Sequence, residues 1–370
     1  MEKSKKIVMT GGGTAGHVTP NIALMPALQQ AGYEITYIGS YNGMEKELIE
    51  AQNIPYIGIS SGKLRRYFDW KNFSDPFKVL KGYGQAISLL KKIKPDVVFS
   101  KGGFVSVPVV LAAKHYHIPT IIHESDMVLL FCNQDKPDIT PGLANRIAIR
   151  GAKKVCCNFP ETMKYLPSDK AILTGSPIRR ELFSGDADAA VRYCGFPDRN
   201  KPVLLIVGGS SGSKVINDAV RKVLPELLEN FYIIHLCGKG NLDEHLKGLI
   251  GYAQFEYASA ELTDMFALAD MAISRAGANA ICELLALHKP NILIPLSAAA
   301  SRGDQILNAK SFEKQGFSYV LEEEQLTEQT LLSAVDEVFN NRDKYVKAMA
   351  ESGQMDSIGT IVKLIESQTK

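Results

Sequence analysis

The residues best suited to chemistry in this chain sit at glycine-rich turns. The stretch "MTGGGTAGHVTP" (residues 9–20) carries Gly11, Gly13 and Gly16 at the G-x-G-x-x-G spacing, with His17 directly behind the last glycine. Following a short apolar run, such a turn offers backbone N–H groups and a helix N-terminus to an anion. Glycine permits the close approach, and the helix macrodipole adds roughly half a positive charge. A dinucleotide site would also need Asp or Glu closing the second strand. That strand, "YEITYIGS" (33–40), ends in Gly39 and Ser40, so the nicotinamide reading lacks its acidic half. A phosphate-facing turn beside a proton acceptor fits better, since an ordinary histidine titrates near pH 6.5. The bland reading of His17 is a helix-start side chain bonded to backbone.

Three more turns share this character. "SKGGFVSVP" (100–108) presents Gly102 and Gly103 after a strand, although a tight strand-to-helix turn would use the same glycines. "GGSSGS" (208–213) adds hydroxyl donors to its backbone ones. "SRAGANAICEL" (274–284) ends a strand and opens a helix near Gly277, so Ala278 and Asn279 would offer N–H groups. Glu283, about one and a half turns on, is placed to take paired ribose hydroxyls, or else simply faces water. Arg179 and Arg275 are candidate cations for the same anions, with salt bridges as their alternative use. Phosphate-facing turns in both halves define a cleft suited to transfer from a nucleotide-linked donor to a phosphate-bearing acceptor.

The elements that carry these turns follow α/β grammar. Short β-branched runs alternate with segments of helical period, and the grammar restarts after residue 200 with "KPVLLIVGGSSGS". The 370 residues exceed one ordinary core, so two doubly wound parallel-sheet domains in tandem are expected. Their bounds read as 1–165 and 166–342. "LPSDKAILTGSPIRREL" (166–182) reads as the linker, and a helical tail (343–370) packs back on the first domain. Apolar content of 45% and a net charge of +2 mark a globular chain with no field for gripping nucleic acid. Six cysteines without a C-x-x-C pair point to free thiols and no zinc. The opening residues lack the apolar stretch of a secretory signal, and no run spans a bilayer, so a cytosolic protein is expected.

Taken in order, "GGGTAGHVTP", "KGGFVSVP", "HES", "GSPIRREL", "GGSSGS", "SRAGAN", "CEL" and "DQILNA" resemble the MurG family over almost the whole chain. "ISSGKLRRY" and "SKGGFVSVPVV" resemble its Gram-positive members. That resemblance implies a GT-B fold: two Rossmann-like domains facing a cleft. It implies an inverting transfer of N-acetylglucosamine from UDP-N-acetylglucosamine to lipid I, yielding lipid II for peptidoglycan. His17 would be the base, with Glu124 the runner-up. Ser210, Ser211, Gly212, Arg179, Arg275, Gly277, Ala278, Asn279, Glu283 and Gln305 would bind the donor. Gly12, Gly13, Thr14, Gly16, Gly102, Gly103 and Asn145 would receive the acceptor diphosphate. No metal and no cofactor are implied, and no D-x-D motif stands where a metal-dependent donor site would place one. The implied setting is the cytoplasmic face of the cell membrane, held peripherally, alongside a cell-wall synthesis complex.

Two departures and one surface complete the reading. Residues 128–139 ("VLLFCNQDKPDI") lengthen the loop between Glu124 and Asn145 by about twelve residues relative to the family, and "SAAASRGDQ" (297–305) is poorer in polar groups. An altered GT-B protein blocked by that loop is therefore one alternative, and another UDP-sugar enzyme of the fold, a glycolipid glycosyltransferase or an epimerase, is the second. "DPFKVLKGYGQAISLLKKIK" (75–94) mixes apolar and basic side chains downstream of Arg65, Arg66, Phe68 and Trp70. Such a segment can lie on anionic lipid, or form a packing helix with a solvated lysine face.

Overall fold

The computed structural model describes residues 4–62, 71–124, 148–209, 212–298, 303–352 and 356–369, with backbone alone at 15 and 71–76. The chain divides into two units, Met1–Arg179 with Asp356–Lys370, and Arg180–Met355.

The first unit runs β1 (Lys5–Thr10), α1 (Thr19–Gln30), β2 (Tyr33–Ser40), α2 (Met44–Glu50), β3 (Tyr56–Ile59), α3 (Lys71–Ile93), β4 (Val97–Ser100), α4 (Ser106–His115), β5 (Thr120–Glu124), β6 (Lys154–Cys157) and β7 (Ala171–Leu173). All seven strands are parallel, in the order β3-β2-β1-β4-β5-β6-β7. Strand β1 is apolar on both faces because both are covered. Ile7 and Met9 pack with Leu24 and Leu28 of α1, while Val8 packs with Ala86 and Leu90 of α3 and Val109 of α4. The C-terminal helix Ser357–Gln368 belongs to this unit, and its Ile358, Ile361 and Ile365 join the Ile7 face. Asp356 starts that helix by accepting the Gly359 N–H at 2.8 Å, a side-chain cap.

The second unit repeats the plan with α5 (Ala187–Cys194), β8 (Val203–Val207), α6 (Lys214–Lys222), α7 (Leu224–Asn230), β9 (Tyr232–Leu236), β10 (Tyr252–Phe255), α8 (Glu261–Leu268), β11 (Met271–Ser274), α9 (Ala278–Ala286), β12 (Asn291–Leu293), α10 (Asp304–Lys314), β13 (Tyr319–Val320), α11 (Glu328–Asn340) and α12 (Arg342–Ala350). Its six parallel strands follow β10-β9-β8-β11-β12-β13. Both orders are the doubly wound kind, with the switch point between the first strand and the fourth: β1 beside β4, and β8 beside β11.

Two sequence expectations change in detail. The stretch 166–182 is not plain linker, since Ala171–Leu173 forms edge strand β7 against β6. Three residues carry too little alternation to announce a strand. The tail is two helices rather than one: Arg342–Ala350 lies in the second unit, and Ser357–Gln368 in the first.

At the first switch point the turn after β4 lies against the turn after β1. Gly103 has φ +84°, and a Cβ there would collide with the Gly12 carbonyl oxygen. Gly103→Ala should therefore lower stability in urea unfolding by about 1–3 kcal/mol. Gly84→Ala, in helix α3 with open space around its Cβ, should raise it by about 0.5–1 kcal/mol.

Candidate active site

The first switch point gathers the turn after β1, the turn after β4 and the end of β5. Strand pairing brings Thr10 beside Ser100, and the Lys101 N–H donates to the Thr10 carbonyl at 2.9 Å. The glycines do not lead straight into α1. A 3-10 turn, Ala15–His17, intervenes, and α1 opens at Thr19 with Pro20 in its first turn. Gly11 must be glycine, because a Cβ would lie 2.6 Å from the His17 carbonyl oxygen. Tyr37 of β2 donates its hydroxyl to the Gly11 carbonyl at 2.8 Å, and Asn21 of α1 donates to that hydroxyl at 3.0 Å. Burial holds the Tyr37 phenol far above its usual range, so it stays neutral.

His17 is half-buried on this turn. Its Nδ1 stands 3.2 Å from the Gly12 carbonyl oxygen and 3.2 Å from the Thr14 hydroxyl. Burial, followed by the nearby charge of Lys101, lowers its pKa to about 4, against opposing pulls from the Gly12 carbonyl and Glu45. At neutral pH the imidazole is therefore uncharged and able to accept a proton. Lys101 is 1% exposed, which places a buried cation directly behind the glycines. At the end of β5, Glu124 is buried, and its charge helps burial push the neighbouring Cys157 thiol up to about 12. His123 is bonded through Nε2 to the Gly175 carbonyl at 2.9 Å, and burial keeps it neutral.

Two of the expected phosphate donors have partners within the protein. The Gly13 N–H donates at 3.3 Å to the carboxylate of Glu45 from α2. The Gly102 N–H donates at 3.3 Å to the Ser100 hydroxyl. Glu45 was not anticipated. In "GMEKEL" it reads as an ordinary solvated helix residue, yet it is 0% exposed. Burial opposes its charge, but the Ser40 hydroxyl, the Ser40 N–H and the Gly13 N–H outweigh it and hold the carboxyl below its usual range. Asn145 and the loop 128–139 lie outside the described residues.

In the second unit the turn after β8 is tightly built. Gly212 has φ +74°, and a Cβ there would strike the Cys237 carbonyl oxygen. Ser213 caps α6 by accepting the Ile216 N–H at 3.4 Å. Ser210 and Ser211 lie outside the described residues. Beneath the turn runs a network that the sequence did not announce. Asn217 donates to the Cys237 carbonyl at 2.8 Å, and His235 links Asn217 at 3.0 Å to Tyr252 at 2.9 Å. Burial lowers His235 to about 3, so it serves as a neutral strut.

Arg275 is held by the protein itself. It follows β11 as the sequence implied, but its guanidinium is buried among protein acceptors. It donates to the Ile294 carbonyl at 3.1 Å, the Pro295 carbonyl at 3.2 Å and the Ser213 hydroxyl at 2.7 Å, and it pairs with Glu323. Arg275 thus ties the turn after β8 to the chain after β12. Nearby, Gly277 is the N-cap of α9, so the helix start presents the N–H groups of Ala278 and Asn279. Glu283 lies further along the same helix, and Asn308 of α10 holds the turn by donating to the Ala276 carbonyl at 3.2 Å. Gln305 accepts the Leu296 N–H at 3.1 Å through its amide oxygen, leaving the amide nitrogen as its donor end. Arg179 closes the first unit, and its Nε has no hydrogen-bond partner among the described residues. The D-x-D spelling Asp186-Ala187-Asp188 is a helix cap, with Asp186 accepting the Asp188 N–H at 2.9 Å. Among the described residues no three His, Cys, Asp or Glu side chains converge to hold a metal.

Comparison with known proteins agrees over the full length. The N-terminal domain of glycosyltransferase family 28 matches residues 7–156, and its C-terminal domain matches 203–364. A protein of Lachnoclostridium phytofermentans is 64% identical over 362 residues, covering 98% of each chain. One from Lachnospira eligens is 62% identical over 366 residues, covering 99% of this chain and all of its own. Both are named UDP-N-acetylglucosamine–N-acetylmuramyl-(pentapeptide) pyrophosphoryl-undecaprenol N-acetylglucosamine transferase. The crystal structure of MurG from Acinetobacter baumannii superposes with a TM-score of 0.74 at 26% identity, over 98% of this chain and 99% of its own.

The Arg275 clamp makes its own prediction. Arg275→Gln leaves the part-buried Glu323 carboxylate without its partner and should lower stability by about 1–3 kcal/mol in urea unfolding. Adding Glu323→Gln should recover part of that loss.

Proposed function

The chain belongs to glycosyltransferase family 28, and from that premise we propose that it transfers N-acetylglucosamine from UDP-N-acetylglucosamine to lipid I, forming lipid II for peptidoglycan. The observation that carries this reading is the end-to-end similarity to relatives of that name, 64% and 62% identical over 98% or more of each chain. The site supplies parts suited to the reaction.

The acceptor sugar hydroxyl attacks the anomeric carbon from the face opposite the leaving UDP, and a single displacement inverts the α-linked donor to a β-linked product. His17 takes the hydroxyl proton as the new bond forms, and its neutrality at physiological pH supports that role. Glu124 is the alternative base. The leaving diphosphate gains charge in the transition state. The N–H groups of Ala278 and Asn279 at the start of α9 stabilise it without reorganising, and Arg179 is the candidate cation. Glu283 takes the ribose hydroxyls, and the Gln305 amide nitrogen faces the sugar. Gly12, Thr14, Gly16 and Gly103 remain with the acceptor diphosphate. Arg275 acts at one remove, by holding Ser213 and the turn it caps.

The acceptor's lipid calls for a membrane-facing surface, and α3 supplies one. Phe77 and Leu80 are 75% and 67% exposed on that helix, beside Lys78 and Lys81. Among the described residues no helix is long and apolar enough to cross a membrane. We place α3 on anionic lipid at the cytoplasmic face, each lysine near the surface adding about 1 kcal/mol. Arg65, Arg66, Phe68 and Trp70 lie outside the described residues.

Three outcomes test this reading. His17→Ala should lower turnover of UDP-N-acetylglucosamine with a lipid I analogue by about 10²–10⁴-fold while UDP affinity, read by calorimetry, stays the same. In the wild type, kcat/KM should hold down to about pH 4 and fall below it, where His17 becomes protonated; a limb at the ordinary histidine value would point to another base. Phe77→Ser with Leu80→Ser should reduce flotation with phosphatidylglycerol vesicles and leave turnover of a soluble acceptor analogue unchanged.

A further inference from the structure

Glu45 is buried at the start of α2, and nothing in the reaction outlined above uses it. Its carboxylate accepts the Ser40 N–H at 3.0 Å, the Ser40 hydroxyl and the Gly13 N–H at 3.3 Å. It also fills the space over the turn, since its Cδ would lie 2.6 Å from a Cβ at Gly12. Gly13 has φ +88°, within the most freely rotating part of the chain, so something must hold the peptide that precedes it.

The Gly13 N–H and the Gly12 carbonyl are the two ends of one rigid peptide plane. One end points at Glu45. The other lies 3.2 Å from His17 Nδ1. The Thr14 hydroxyl, also 3.2 Å from Nδ1, suits either tautomer, but a carbonyl oxygen can only accept, so a hydrogen bond to Gly12 puts the proton on Nδ1. The basic lone pair is then on Nε2. We propose that Glu45 is a positioning residue for the transfer reaction: through the Gly12–Gly13 peptide it fixes His17 as the Nδ1–H tautomer and leaves Nε2 to take the acceptor proton. The inference rests on the reading of His17 as the base.

The arrangement is a carboxylate–peptide–imidazole relay, in which the peptide dipole carries the influence that a direct carboxylate–histidine contact would exert. The charged groups facing His17 are Glu45 from α2 and Lys101 from the end of β4; Tyr37 of β2 stays neutral, and Asn21 of α1 does not titrate. Lys101 opposes protonation of the imidazole and Glu45 favours it. As His17 gains a proton in the transition state, the Glu45 charge lowers the cost of the developing imidazolium.

The test uses the full-length enzyme. In wild type labelled with ¹⁵N-histidine, long-range ¹H–¹⁵N spectra at pH 7.5, with His17 assigned by its loss in His17→Gln, should show Nδ1 protonated and Nε2 bare. The reverse pattern overturns the proposal, and this reading needs no Glu45 variant to fold. Glu45→Gln keeps an acceptor oxygen but removes the charge; it should lower kcat at least about tenfold, leave the KM for UDP-N-acetylglucosamine within about twofold, and move the acid limb of kcat/KM to lower pH. Wild-type kcat and an unshifted limb in a Glu45→Gln enzyme with an unchanged melting curve overturn the proposal. Should His17→Ala retain full turnover, the assignment of His17 as base fails by itself, whatever the tautomer measurement shows.

Discussion

The constraint on which the site depends is the lateral pairing of the first and fourth strands in each parallel sheet. Around β1 and β4 the connections part. Helix α1 goes to the face of Ile7 and Met9, and α4 goes to the face of Val8 and Val98. Neither helix covers the carboxyl ends of the two strands between them, so that edge is left for turns and ligands. Register then does the positioning. The Lys101 N–H reaches the Thr10 carbonyl at 2.9 Å, and the Arg275 N–H reaches the Val207 carbonyl at 3.3 Å. Each unit thereby sets a buried basic residue immediately after its fourth strand, hard against the glycine turn of its first.

The two cations serve these turns by different means. Arg275 spends its planar fork on two carbonyls, a serine hydroxyl and a carboxylate, and so fixes three segments of backbone at once. Lys101 acts through its field, depressing the proton affinity of both His17 and His123. Every buried charge near the turns is therefore matched by hydrogen bonds or an opposite charge, as burial demands. Hydrogen bonds from Tyr37, Asn21 and Asn217 hold the backbone beneath the turns, in spite of their glycine content.

Much of this was legible in the sequence. The long apolar strands, the alternation with helices, the restart near residue 200 and the placement of His17, Gly212, Gly277 and Arg275 at strand ends all follow from local pattern. Strands β3, β6, β7 and β10 did not show, because three or four residues carry too little periodicity. Arg275 was legible as a position but not in its direction. Its partner Glu323 is distant in the chain, and only the fold reveals that the ion pair forms. Glu45 was invisible for a related reason. Its burial is set by Gly12 and Gly43, which leave room for a carboxylate that a side chain at either position would exclude. Asn21 and Asn217, polar side chains on otherwise amphipathic helices, were the one local hint that something beneath the turns needed hydrogen bonds.

The first unit is completed by the last helix of the chain. Ile358, Ile361 and Ile365 cover the same side of the sheet as Leu24 and Leu28, so a ribosome that has delivered strands β1 to β7 has not yet delivered the lid of their core. The second unit is continuous in sequence and lacks this delay. During synthesis the first sheet must therefore wait, part of one apolar face still wet, until Ser357–Gln368 emerges. The first unit therefore closes after the second has been delivered, although its strands are made first.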